Sequence, residues 1–119
     1  IFNSVIPASC RIGKKSRFMY GGIGVVLHKN TIIGDNVAIG QGITIGRKLS
    51  DGVPTIGDNV YISAGSRVLG DIIIGNNVII AANSVVIKDV PNNSIVAGAP
   101  AKVVKNINQD IYSLLGVIL

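Results

Sequence analysis

Residues 56–86 read IGDNVYISAGSRVLGDIIIGNNVIIAANSVV, and within this stretch a large aliphatic side chain returns every six residues, at Ile56, Ile62, Val68, Ile74, Ile80 and Val86. The same step runs through Leu27, Ile33, Ile39 and Ile45, and before them through Ile6, Ile12 and Phe18. Two places ahead of these stands a small or apolar residue, as at Cys10, Ser16, Thr31, Val37, Ile43, Val60, Ser66, Ile72, Val78 and Ser84. An in-out-in alternation of that length is a very short strand. The chain turns at once, because Gly follows the large residue at Gly13, Gly34, Gly40, Gly46, Gly57 and Gly75, and three of these open G-D-N or G-N-N. Such residues accept tight turns and positive φ at little steric cost. Short strands with a corner after each, repeated every six residues, define an all-β hexapeptide parallel β-helix whose coils stack around one apolar prism. Three six-residue units complete a coil, which predicts Ile33, Ile56 and Ile74 in one stack and Leu27, Ile45, Val68 and Val86 in another.

Composition agrees. A chain of 119 residues, 48% hydrophobic and with 15 Gly, fits one domain with a narrow aliphatic column. We expect the helix over residues 1–105 and a tail over 106–119; its apolar stretch is too short to span a bilayer and suits a short helix packed on the prism or on a neighbour. The net charge of +5, from 11 Lys and Arg against 6 acidic residues, suits a polyanionic ligand such as a phosphorylated cofactor. Basic and aromatic residues do not interleave as in single-strand nucleic-acid binders, so no nucleic-acid partner is expected. A single Cys, with neither a signal peptide nor a membrane span in the sequence read, points to a reducing, cytoplasmic setting. The chain begins at Ile1 rather than Met, which leaves room for a preceding segment.

The register slips twice, so extra chain leaves the solenoid at residues 19–26 and again at residues 47–55. Loops on a rigid scaffold are where chemistry concentrates. Stacking by coils puts His28 under Gly46, at the base of the second loop, and His28 fills a corner slot that Gly takes six times. Two readings compete: a solvated or interface histidine, and a general base working near neutral pH. The loop coincidence favours the base. Cys10 occupies an inward small-residue slot and reads as packing rather than as a nucleophile. One His, one Cys and scattered Asp supply no metal-ligand cluster, and a γ-type carbonic anhydrase, which needs several histidines for zinc, is excluded.

From about Ile6 to Lys105 the chain resembles the hexapeptide-repeat acyltransferases, especially serine acetyltransferases and the serine-acetyltransferase-like O-acetyltransferases of bacterial polysaccharide clusters. The most specific match is VVIKDVPNNSIVAGAPAKVVK at residues 85–105, similar to the segment that closes the last coil of galactoside and maltose acetyltransferases; IGDNVYI at 56–62 matches their repeat text. The resemblance implies a left-handed coil, a homotrimer and acetyl-CoA as co-substrate in a groove between adjacent prisms. It implies Ala64 and Ala82 along the pantetheine arm, and Lys88, Lys102 and Lys105 near the cofactor phosphates. A solvated edge is the plain alternative for each lysine. Lys88 is expected three coils above His28, roughly 14 Å at one strand spacing per coil.

Two departures from serine acetyltransferase bear on the acceptor. Where those enzymes carry an Asp-His pair this chain has Tyr20-Gly21, and where a second histidine precedes the loop proline it has Val53 before Pro54. The stretch GIGVVLHKNTIIG, residues 22–34, looks instead like the polysaccharide-cluster relatives. The expected reaction is therefore acetyl transfer to a hydroxyl or amine of a sugar, with His28 as base and the amide of Gly42 or Gly46 steadying the oxyanion. Tyr20, Arg47, Lys48, Ser50 and Asp51 are the expected acceptor contacts, with a polar loop as the plain alternative, and Asp51 is a candidate to orient the imidazole. Serine O-acetylation, a non-catalytic trimerisation scaffold and a portion of a larger nucleotide-sugar enzyme are the competing readings.

Overall fold

Fourteen short strands follow one another in the computed structural model, which describes residues 4–49 and 51–118. In chain order they are β1 (Arg11–Ile12), β2 (Arg17–Phe18), β3 (Val26–Leu27), β4 (Ile32–Ile33), β5 (Ala38–Ile39), β6 (Thr44–Gly46), β7 (Thr55–Ile56), β8 (Val60–Ile62), β9 (Arg67–Leu69), β10 (Ile73–Ile74), β11 (Val78–Ile80), β12 (Val85–Val86), β13 (Ser94–Gly98) and β14 (Ala101–Asn106). A 3-10 turn over Met19–Gly22 precedes β3, and helix α1 (Ile111–Ile118) ends the described chain. The first face of the prism is β1-β4-β7-β10, the second is β2-β5-β8-β11-β13-β14 and the third is β3-β6-β9-β12.

The register follows the periodicity. Ile33, Ile56 and Ile74 are successive partners, as are Leu27, Ile45, Val68 and Val86, all in parallel ladders. Thr55 pairs with Ile73, 18 residues on, whereas Ile32 pairs with Thr55, 23 residues on, because that coil also contains the second loop. The extra chain starts and stops at the corners and leaves the stack undisturbed. Val26 and Thr55, placed in the loops by the sequence pattern, are the first residues of strands.

Both inward positions of most units are sealed. Val25, Val37, Ile43, Ile45, Val60, Ile62, Val68, Ile74, Val78 and Ile80 have no exposed surface. Burying one such side chain contributes roughly 1.5–3 kcal/mol. The first units differ: Ile6 and Ile12 keep 39% and 37% of their surface exposed, because no described coil lies beneath them.

At the corner between the first and second faces, the second residue of each unit's polar pair takes a left-handed conformation, at Asn36 (φ 56°), Asn59 (φ 59°), Asn77 (φ 58°) and Asn93 (φ 58°). Their side chains form a vertical ladder in which each Nδ2 donates to the Oδ1 above: Asn36 to Asn59 (2.9 Å), Asn59 to Asn77 (2.8 Å) and Asn77 to Asn93 (3.0 Å). The residue before each builds a second ladder. Its oxygen accepts the backbone amide of the coil below, at Asp35 (from Lys14, 2.8 Å), Asp58 (from Asp35, 2.8 Å), Asn76 (from Asp58, 2.8 Å) and Asn92 (from Asn76, 2.7 Å).

The far end closes by a reversal that periodicity does not foretell. After β13 the chain doubles back, and β14 pairs antiparallel with it along the edge of the second face. Helix α1 then lies against the outside of that face, with Ile111 fully buried and Ile79 and Ala38 nearly so. Asp110 caps the helix by accepting the amides of Tyr112 (2.9 Å) and Ser113 (3.2 Å) on Oδ2, while its Oδ1 accepts Asn59 Nδ2 (2.7 Å). Tyr112 donates its hydroxyl to the carbonyls of Asn36 (2.8 Å) and Val60 (3.1 Å), and Arg17 sits 5.0 Å over its ring.

Two consequences are measurable. A β-carbon at Gly57 would come within 2.8 Å of the Gly75 carbonyl, so Gly57→Ala should destabilise the fold by about 1–3 kcal/mol in chemical denaturation. An unchanged midpoint would mean that the stacked corners have room to spare. Asp110→Ala should cost about 0.5–2 kcal/mol, the usual worth of a helix cap, and should speed hydrogen exchange in α1 before it does so in the coils. Uniform protection across both would contradict a helix held from its first turn.

Candidate active site

The groove that matters runs up the corner between the second and third faces. It encloses about 540 Å³ and is lined by Ile23, Gly24, Gln41, Gly42, Ala64, Gly65, Ala82 and Asn83, two residues from each of four stacked corners. Ala64 and Ala82 thus fall on one line, two coils of the same groove. The corners are tied to one another through their third residues: Gly42 N–H donates to Ile23 O (2.8 Å), Gly65 N–H to Gln41 O (3.0 Å) and Asn83 N–H to Ala64 O (3.0 Å). Among the described residues no acceptor faces the amides of Gln41, Ala64 and Ala82, which leaves three donors one coil apart. Gly24 (φ 66°), Gly42 (φ 64°) and Gly65 (φ 78°) turn in the left-handed region, and a β-carbon on Gly24 would press to 3.3 Å from Gly42 Cα. Gln41, Gly65 and Asn83 were not singled out in the sequence; the pairs Gln-Gly, Ala-Gly and Ala-Asn recurring two and three places after Ile39, Ile62 and Ile80 were the available signal.

At the groove's foot is the 3-10 turn. Tyr20 lies there in a left-handed conformation (φ 56°), unusual for a bulky side chain, and is 68% exposed. Arg67, on the outer side of β9, lies along the rim and donates from Nη1 to Gly42 O (3.0 Å) and Gly65 O (3.1 Å).

His28 is on another edge, the corner between the third and first faces. Its amide donates to Ile45 O (2.9 Å), and its carbonyl accepts Thr31 N–H (3.0 Å) and the Cys10 thiol (3.1 Å). The half-buried ring receives Asn30 N–H on Nδ1 (3.2 Å). The ring is therefore oriented by a backbone amide and not by Asp51. In the neutral imidazole this contact puts the proton on Nε2; base catalysis needs the other tautomer, at the cost of one hydrogen bond, about 1 kcal/mol. Lys88 stands on the same edge, just beyond the top of the Leu27-Ile45-Val68-Val86 stack. Lys102 and Lys105 are exposed on β14, opposite Ala97 and Ile95, at the same end of the prism.

The second loop starts one coil above His28 and leans away from it. A β-carbon on Gly70 would meet the Lys48 chain at 3.6 Å, Gly52 sits against Asp71, and Lys48, Leu49, Gly70, Asp71, Ile72 and Ile87 surround a shallow hollow of about 370 Å³. Arg47 pairs with Asp51 (3.0 Å) in the open, where such a pair is worth about 0–1 kcal/mol. Ser50 lies outside the described residues. Gly42, expected as an oxyanion donor, has given its amide to Ile23, and Gly46 belongs to β6, in register with Leu69. So the structure joins Ala64 with Ala82 above Tyr20, keeps His28 below Arg47 and Lys88 on a second edge, and turns Lys48 away from the histidine.

The matched sequence agrees with this geometry. Residues 54–88 match the family described as bacterial transferase hexapeptide (six repeats), and the chain has the left-handed parallel β-helix of that class. Within that class it is similar to serine acetyltransferases. It is 48% identical over 103 residues to the one from Staphylococcus aureus (strain Mu50), an alignment that takes in 84% of this chain and 48% of that protein. Serine acetyltransferase from Brucella abortus in complex with coenzyme A superposes with a TM-score of 0.78 at 36% identity, over 84% of this chain and 41% of that one. The soybean enzyme complexed with serine superposes with a TM-score of 0.76 at 40% identity, over 81% and 40%. The chain spans about half the length of the relatives it matches.

Burial pushes the Cys10 thiol up, with the backbone of Thr31 opposing in part. A raised pKa means less thiolate at any pH below it. At pH 8 Cys10 should react with iodoacetamide several-fold more slowly than free cysteine, and an equal rate would contradict its packing role.

Proposed function

We propose that the chain forms the catalytic β-helix of an acetyl-CoA-dependent O-acetyltransferase with L-serine as acceptor. The observation that carries this reading is the groove beside Ala64 and Ala82, with three unpaired amides one coil apart, in coils similar to those of a protein solved with coenzyme A. Those amides suit the carbonyl oxygens of a pantetheine arm, and the small side chains give its chain access to the backbone. Lys88, Lys102 and Lys105, at the C-terminal end of the prism, are the residues to meet the phosphates. Likeness to serine acetyltransferases, one of them solved with serine, supports an amino-acid acceptor over the sugar that Tyr20-Gly21 and Val53 favour.

The chemistry is direct transfer. The acceptor hydroxyl attacks the thioester carbon, the C–S bond breaks as the C–O bond forms, and the hydroxyl proton passes through the base to the leaving thiolate. His28 is the proposed base. The third face, two to three residues wide, lies between the groove and His28, a span of roughly 10 Å. A thioester in one chain's groove is thus out of reach of that chain's own imidazole, so the His28 edge of a second copy closes the site, as in a threefold assembly. Tyr20 and Arg47 line the acceptor side, from the groove and from the neighbouring edge.

Incubating the chain with acetyl-CoA and, separately, serine, simple sugars and nucleotide-sugars tests the acceptor: serine-dependent thiol release is expected, and release with a sugar alone would replace serine. His28→Asn should keep the fold and coenzyme A binding while turnover falls by about 10²- to 10⁴-fold. Near-normal turnover by a folded His28→Asn chain would remove His28 from the mechanism. A stable monomer with full activity in light scattering would remove the shared site.

A further inference from the structure

Arg67 combines three properties not found together elsewhere among the described residues. It is exposed, it borders the groove at the height of its second and third coils, and its guanidinium is tied down by backbone carbonyls of Gly42 (3.0 Å), Gly65 (3.1 Å) and Ser66 (3.4 Å), all from Nη1. The first two of these residues line the groove. An exposed arginine ordinarily samples many rotamers, and ordering it costs up to about 2 kcal/mol. Here the carbonyls hold it in place. The two N–H groups of Nη1 are used on them, which leaves three N–H donors on Nη2 and Nε, of which Nε–H and one Nη2–H share a flat edge. No carboxylate balances it among the described residues, where the ion pair present joins Arg47 and Asp51.

We propose that Arg67 grips the acyl donor by donating from this edge to an amide carbonyl of the pantetheine arm, on the opposite side of that arm from the free amides of Ala64 and Ala82. This rests on the acetyl-CoA reading above. Height selects the pantetheine. The groove climbs from Gly24 to Asn83 through three coil steps, roughly 14 Å, and Arg67 bridges the middle of that climb. The cofactor phosphates belong beyond the upper end, towards Lys88, Lys102 and Lys105, and the acceptor belongs at the foot, near Tyr20. Arginine also suits the position better than lysine, because one nitrogen can be spent on the wall while the other faces the ligand.

Calorimetry on the full chain separates the alternatives, with coenzyme A and adenosine 3′,5′-bisphosphate as probes, since the second has phosphates and no pantetheine. Arg67→Ala should weaken coenzyme A binding about ten- to a hundredfold, the worth of a hydrogen bond from a charged donor, and leave the bisphosphate unchanged. Arg67→Lys should fall between. Because Arg67 also links two coils, binding is measured well below each variant's melting temperature. Equal losses for both probes would put Arg67 on the phosphates and overturn the proposal; so would unchanged coenzyme A affinity, which would leave only a link between coils, and so would a KM increase confined to the acceptor. If the unaltered chain binds no coenzyme A, the acetyl-CoA reading falls and this proposal with it.

Discussion

A stack of two- and three-residue strands has little register of its own, since a slip along so short a strand sacrifices few hydrogen bonds. What fixes the height and phase of each coil is the corner where Asp or Asn is followed by Asn. One side chain of the pair reaches down to an amide of the coil below, the other reaches up to its counterpart, and the left-handed backbone at Asn36, Asn59, Asn77 and Asn93 makes both possible. Each inward Ile or Val depends on this alignment, because a coil shifted by one residue would turn its apolar positions outward. The same ladder receives the C-terminal helix, through Asn59 to Asp110 and Asn77 to the amide of Ile111. Core, height and helix docking therefore share one set of polar contacts.

With that corner committed to holding the coils together, the other two are open to vary. One has become a groove of small residues with unpaired amides; the other carries His28, the second loop and Lys88. A single prism keeps these two edges apart, and the separation is built in, because successive corners of a triangular coil cannot face one another. Chemistry that uses both edges calls for two prisms side by side.

Much of this was legible beforehand. The step of six gave the faces and the stacking partners because burial in a prism imposes one rule on every unit, and the positions of both loops followed from where the step failed. The tie between His28 and the foot of the second loop was also readable, being only a matter of counting coils. The lean of the loop was not, because Lys48, Gly52 and Asp71 meet through contacts that have no period. Nor was the tautomer of His28, which depends on a single local amide from Asn30, or the pinning of Arg67 to Gly42 and Gly65, which joins residues 25 and 2 places apart through a side chain that any surface would tolerate. Ile6 and Ile12 obey the pattern yet stay partly exposed, since a periodic sequence says which way a residue faces and not whether anything lies above or below it.

The reversal at β14 bears on how such a molecule stays discrete. Every coil offers the next a parallel edge, so the architecture would accept another copy's coil as readily as its own. By pairing antiparallel along β13, the last strand presents the second face's terminal edge in the wrong direction for a further parallel coil, and it sets Lys102 and Lys105 out in solvent there. The widest of the three faces is thereby closed to end-on growth, leaving on the third only the two-residue edge of β12. A fold that could lengthen into a fibre is in this way stopped at its C-terminal end, on its widest face, by one change of strand direction.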